Sequence, residues 1–365
     1  MKKIYFIIGL LAITCIGTVN LRAQDKFSDK EENEGTSVRD RINWYYMQRA
    51  YPNGIPNGAR LKALGIARAM TGALKRNNAT LIQSATWQPV GPSNGGGRIE
   101  AIAVDPSGTL YIGAAEGGVW RGTTTNGTNW TWTPLTDKAD ALAMGALAID
   151  PTNAQTIYAG TGEWNLSFGG PFTTQSPIYS GAGMLKSTDG GSTWSNVGLT
   201  NVAAFSRIIV NPDNHNIVWA AGFNGLYRSS DGGNTWSTLI PDSLCCDLAL
   251  DPNDHTRLYV AIQNQGMFGI VDPSPALHPL NNGFPQPDST VGRIAISAAN
   301  NNGQTVIYAV VAEQSGAFKG IYKLSGGGWS LCAYPGSGLF AEKQGWYDIT
   351  IAASPTDANT VIVGG

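Results

Sequence analysis

The sequence predicts an all-β chain: a β-propeller of four-stranded antiparallel blades, preceded by a short helical segment. Three observations predict it. An alternating apolar run stopped by a polar residue recurs as IEAIAVDP (99 to 106), GALAIDP (145 to 151), SRIIVNP (206 to 212), CDLALDP (246 to 252) and DITIAASP (348 to 355), with RIAISAA (293 to 299) a weaker copy. Each copy is followed by a second β run, from TLYIGAAE to TVIVGG, and all but the last by a third strand opened by Gly, as in GGVWRG, NGLYRSS and KGIYKLS. The stretch STDGGSTW at 187 to 194 returns as SSDGGNTW at 229 to 236. A unit of four short strands repeated at intervals of roughly 40 to 60 residues is how a propeller blade is written. With charged residues at 14% and 46 Gly, composition also suits a turn-rich β protein better than a long-helix one.

Taken in order, the chain begins with Lys2 and Lys3, an apolar run from Ile4 to Val19, and a small residue at Ala23. That is the pattern of a cleaved signal peptide over 1–23. Elsewhere no stretch is long and apolar enough to span a bilayer, so the expectation is a secreted, cell-surface or periplasmic protein that is not an integral membrane protein. Residues 24–84 form a partly disordered and helical N-terminal segment. After an acidic polar start, SVRDRINWYYMQRA (37 to 50) and ARLKALGIARAMTGALKR (59 to 76) carry apolar stripes at helical spacing and are expected to pack on the propeller rim.

The propeller is assigned to 85–365. ATWQPVGP (85 to 92) matches the fourth strands STWSNVGL and NTWSTLIP and is expected to close the ring from the opposite end of the chain. Five blades are complete and a sixth has two strands, so the ring is incomplete at the C-terminus and is expected to come from an intact propeller of seven or more blades.

Several classes are disfavoured. A net charge of −2 leaves no footprint for nucleic acid. Beyond Cys15, the thiols Cys245, Cys246 and Cys332 form neither a disulfide framework nor a zinc spacing, and are expected to be small buried side chains. No turn has the spacing of a metal loop, so neither metal nor cofactor is expected.

The two DGG stretches fall between third and fourth strands, where Gly supplies positive φ, Asp and Ser bond turn backbone, and the Trp packs between sheets. They resemble the Asp-box of sialidases, xyloglucanases and sortilin-type receptors. Its pattern is met by Ser187, Asp189, Gly191, Thr193 and Trp194, and again by Ser229, Asp231, Gly233, Thr235 and Trp236; TTTNGTNW and LSGGGW are eroded copies. The resemblance implies that these boxes are folding devices at the periphery, so Asp189 and Asp231 are structural rather than catalytic.

Candidate chemistry lies where the starts of the first strands meet the ends of the second strands, over the central channel. Aligning the first strands places Arg207, Asp247 and Arg293 at one equivalent position, with Arg98 slightly further out. Aligning the second strands places Glu116, Glu163 and Glu313 at another, with Asn224 and Asn264 between. Arg forks bind carboxylates, and paired carboxylates divide acid and base roles in glycoside hydrolysis. The competing reading is mutual salt bridging, Arg207 with Asp247 and Asp247 with Arg293. Trp164, which opens a long insertion, and Trp346 are expected to supply apolar platforms on the same face.

YIGAAEGGVWRG resembles a xyloglucanase stretch in which an Asp before Gly-Gly is catalytic; here Glu116 stands before Gly117 and Gly118. In that family the partner acid lies in a second propeller. The sialidase resemblance implies three Arg and a Tyr nucleophile, but its Phe-Arg-Ile-Pro signature is met only by the partial echoes GRIE and SRII. Sortilin-like binding needs no catalytic residue. Three functions are therefore expected in order: an exported propeller binding a glycan or peptide on the channel-mouth face; a glycoside hydrolase using Glu116 with Glu163 or Glu313; and a structural module of a surface assembly, marked by a rim patch around Trp44 and Tyr46.

Overall fold

The structure is a computed structural model describing residues 62–70, 97–164, 179–285, 291–333, 344–346 and 348–365. The segments expected to form a signal peptide, a first N-terminal helix and a closure strand lie outside the described residues. Of the second helix, residues 62–70 are helical (α1). Its Arg68 meets Asp140, while Ile66 and Met70 are exposed.

Blade one runs Ile99–Val104 (β1), Leu110–Ala114 (β2), Gly118–Thr124 (β3) and Trp130–Pro134 (β4). Blade two runs Met144–Asp150 (β5), Asn153–Thr161 (β6), Met184–Ser187 (β7) and Ser195–Asn196 (β8). Phe205–Val210 (β9), Val218–Gly222 (β10), Gly225–Ser229 (β11) and Ser237–Pro241 (β12) make blade three. Cys245–Leu250 (β13), Arg257–Ile262 (β14), Gly266–Val271 (β15) and His278–Pro279 (β16) make blade four. Blade five is Val291–Asn301 (β17), Gln304–Glu313 (β18), Phe318–Ser325 (β19) and Gly328–Ala333 (β20), and Thr350–Ala353 (β21) pairs with Val361–Gly364 (β22) in a sixth sheet. Each sheet is an antiparallel meander in chain order, and the inner strands β1, β5, β9, β13, β17 and β21 lie side by side in that order. The repeat read from the sequence is the repeat of sheets.

The polar residue that stops each first strand closes its hairpin. Asp105, Asp150, Asn211 and Asp251 each accept the backbone N–H two residues on, at 2.8 to 2.9 Å, so the side chain supplies the turn's missing acceptor. At the other end of the inner strand in blades one to five the register slips by one residue. In blades one to four the extra residue is Glu100, Gly145, Ser206 and Cys246. Such a bulge re-aims one side chain out of the pleat.

The Asp-boxes behave as rivets. Ser229 Oγ donates to Asp231 Oδ1 at 2.7 Å and accepts from Gly233 N–H at 2.8 Å, while Asp231 also accepts the Thr235 N–H and hydroxyl. Ser187, Asp189, Gly191 and Thr193 repeat the same set. These bonds, led by the Thr hydroxyl, hold both Asp carboxyls down at about 2. Trp236 Nε1 then donates to Val197 O of the preceding blade at 2.9 Å, and Trp329 Nε1 to Leu280 O of its preceding blade at 2.5 Å. Trp194 stays within its own hairpin, donating to Gly191 O at 3.0 Å, while its ring packs on the cluster between blades one and two.

The core is distributed between blades, one apolar cluster to each gap. Leu226 and Trp219 of blade three meet Leu248 and Leu258 of blade four, for example. Leu147, Ile208 and Leu248 occupy one position in successive inner strands and are 8%, 3% and 2% exposed; Ile102, their equivalent in blade one, is 64% exposed. Leu248→Ala is therefore expected to cost about 2–5 kcal/mol in urea unfolding, and Ile102→Ala less than about 1 kcal/mol. Equal losses would contradict this placement of the core. Cys245 and Cys246 are buried as expected, with burial pushing the Cys246 thiol up to about 11; Cys332, against expectation, is exposed on the outermost strand β20.

Candidate functional site

The turn after each second strand is fixed to the start of the inner strand by one backbone bond. Ala115 N–H donates to Arg98 O, Gly162 N–H to Ala143 O, Phe223 N–H to Ala204 O and Gln263 N–H to Leu244 O, at 2.7 to 3.0 Å. The next residue is then Glu116, Glu163, Asn224 or Asn264, so Glu116 and Glu163 do occupy one position in neighbouring blades. Glu313 does not share it. Val291 pairs with Glu313, as Met144 pairs with Thr161, leaving Glu313 two places short. The following residue, Gln314, reaches back to Asn264 Oδ1 at 2.6 Å, while Glu313 is engaged by Ser315 at 3.2 Å in its own turn. The long β17–β18 pair changes the local register, which counting along the sequence does not reveal.

Glu163 is wholly buried. Its backbone N–H donates to Tyr179 O at 2.9 Å, tying together the two stems of the insertion that Trp164 opens. Its carboxylate contacts the guanidinium of Arg98, whose Nε donates to Glu100 Oε1 at 2.8 Å. Burial, and then the like charge of Glu100, push the Glu163 carboxyl up to about 7, with Arg98 opposing both. Tyr179 lies within the field of the exposed Glu116 and of Glu163; burial and these two carboxylates raise its phenol further from ionisation. The mouth above blades one and two thus gathers Arg98, Glu100, Glu116, Glu163 and Tyr179.

The second charged group is a clasp. Arg207 forks onto Asp247 at 2.7 and 3.1 Å, and Asp247 also accepts the N–H groups of Leu248 and Ile296, both at 2.9 Å. One buried carboxylate therefore links blades three, four and five. The pairing expected between Asp247 and Arg293 is not among these bonds; burial raises the Asp348 carboxyl, with the Arg293 guanidinium opposing in part.

Trp164 is not an open platform. It is 3% exposed, set edge to face against Phe223 with ring centroids 5.9 Å apart, in the cluster that contains Val291 and Phe284. A bare indole at this position would leave on the order of 200 Å² of apolar surface in water. Trp346 is half-buried in the turn before β21, next to Gly345, whose N–H bonds Gly316 O at 2.9 Å.

Two residues escaped the sequence reading, Glu100 and Tyr179. Glu100 had a legible signal: it stands where the other blades have Gly145, Ser206 and Cys246. Tyr179 had none, because its place depends on how the insertion returns.

Four-stranded sheets with their inner strands side by side, hydrogen-bonded DGG hairpins and inter-blade Trp contacts define a β-propeller with Asp-box-like hairpins. The comparisons with known proteins agree. A family model, strictosidine synthase-like, N-terminal, matches residues 100–122, within β1 to β3. A xyloglucanase of Hypocrea jecorina is 29% identical over 163 residues, which is 39% of this chain and 18% of that protein. A xyloglucanase of Paenibacillus sp is 31% identical over 183 residues, covering 45% of this chain and 17% of that protein. The matched stretch is thus less than a fifth of the length of either relative. Among solved structures, the GH74 enzyme of Niastella koreensis superposes with a TM-score of 0.51 at 19% identity, over 73% of this chain and 44% of its own. An ancestral GH74 enzyme gives 0.57 at 20% identity, over 77% and 36%. The likeness to these structures is one of fold, a β-propeller. Among the described residues, no helix is long and apolar enough to cross a membrane.

Proposed function

We propose that this chain is a glycan-binding propeller of glycoside-hydrolase type, exported by its N-terminal signal, in which the mouth above blades one and two receives the saccharide. Glu163 is the general acid and Glu116 the carboxylate that works opposite it. The observation that carries this reading is the pairing of unlike carboxyls in equivalent turns. One is buried and raised to about 7, the other is exposed. Two carboxyls whose surroundings push them apart are how acid and base roles are divided.

The charges support a glycan without acidic groups over a sialoside or a peptide carboxylate. Arg98 is already held by two glutamates and Arg207 by Asp247, so neither fork is open to clamp an incoming anion. The xyloglucanase similarity points the same way.

The test is incubation of the purified protein with xyloglucan, a mixed-linkage β-glucan and a polyuronide, reading retention and product release across pH. Retention of a neutral glycan is expected, with any cleavage falling as pH rises through about 7, where Glu163 loses its proton. Neither retention nor cleavage of the neutral glycans, or a preference for the polyuronide, would overturn the reading.

A further inference from the structure

We propose that Glu100 is a positioning residue for Glu163: by competing for the guanidinium of Arg98, it keeps the Glu163 carboxyl available as an acid. The inference rests on the reading of Glu163 as proton donor and adds a residue that acts on it without touching substrate.

The geometry begins with the backbone. Glu100 is the bulge residue of β1, where the register slips between Ile99 and Ala101. Its equivalents in blades two to four are Gly145, Ser206 and Cys246, small side chains turned into the crowded gap between blades. At Gly145 even a Cβ would come within 2.1 Å of Phe205 O. A long, charged side chain at this position in blade one is therefore an exception to the repeat.

Arg98 spans the two acids. Its Nε donates to Glu100 Oε1 at 2.8 Å and its Nη2 meets Glu163, with the Glu100 side chain 7% exposed and that of Glu163 fully buried. A single cation between two sequestered carboxylates cannot neutralise both, so the pair prefers to hold a proton between them. Glu163 is the deeper of the two and has the greater desolvation penalty. Among the described residues, the other titratable groups near this triad are Tyr179, from the returning stem of the insertion, and Glu116 beyond it. Neither brings a positive charge, and Arg98 is a cation that both acids share.

Carboxyl carbon NMR of glutamate-labelled protein, with E163Q used for assignment, tests this without requiring any substrate. In wild type the Glu163 resonance should titrate near 7. In E100Q the like charge is gone and Arg98 turns wholly to Glu163, so the midpoint should fall by about one unit or more. E100D, which keeps the charge, should restore most of the shift. A midpoint that stays put in E100Q overturns the proposal, as does one that falls equally in E100D. A purely structural Glu100 would lower the melting temperature and leave the titration unmoved. Failure of the glycan assays alongside a moved titration would remove the functional reading and leave the positioning role standing.

Discussion

Asp272→Ala is expected to destabilise the propeller by about 3–5 kcal/mol, near the upper end for a single substitution. The Asp272 carboxylate takes a fork from Arg228, Nε to Oδ1 at 2.5 Å and Nη2 to Oδ2 at 2.8 Å, and a third bond from Trp219 Nε1 at 3.0 Å. The Asp272 side chain is 6% exposed and that of Arg228 15%, so solvent screens little of the interaction. Arg228 and Trp219 belong to blade three while Asp272 follows β15 of blade four, so the carboxylate joins two blades. Its removal strands a buried guanidinium and a buried indole N–H, and that uncompensated pair, rather than any large net gain from the salt bridge, sets the magnitude. Urea unfolding provides the measurement. Asp272→Asn, which keeps one acceptor, should fall between wild type and alanine; a loss below about 1 kcal/mol for alanine would show that solvent reaches the site.

Glu163→Gln carries the largest expected effect on activity. If Glu163 gives the proton to the leaving group, the amide should lower turnover of a cleaved glycan by about 10²- to 10⁴-fold while leaving retention of the glycan largely intact. The same variant makes a second, independent prediction through stability. The folded-state value of about 7 lies above the ordinary 4.5, so the folded protein binds this proton more tightly than the unfolded chain. The stabilisation from this group is present in full below about 4.5 and is lost as pH rises towards 7. E163Q should therefore flatten the decline in melting temperature over that window. The Asp-box carboxyls have the opposite sign: held at about 2, they support the fold at neutral pH and lose that support in acid. A wild-type melting profile with no slope between 4.5 and 7 would refute the buried, raised state of Glu163.

Reading the chain as text located nearly every strand, because a blade is written in local terms. Asp105, Asn211 and Asp251 stop their strands through bonds to residues two places away, and Ser229, Asp231 and Thr235 close a hairpin within seven residues. The candidate site was legible in part. Glu116 and Glu163 were read as equivalents because each closes a second β run, two residues past its last paired residue, and the Arg207–Asp247 pair followed from adjacent inner strands. Glu313 was misplaced because blade five has longer strands, and Trp164 was misread because nothing near it in sequence shows that Phe223 covers it.

What the amino-acid sequence determined by itself was the architecture: alternation, turn residues and Trp anchors act over a few positions and repeat, so each copy reports on the others. What only the tertiary structure decided was the chemistry at the mouth. The contact between Arg98 and Glu163 joins residues 65 apart, and the protonation of Glu163 depends on burial and on the aim of a bulged Glu100, none of which has a local pattern. Desolvation and charge coupling are properties of a place in space, and that place exists only once the blades have closed on one another.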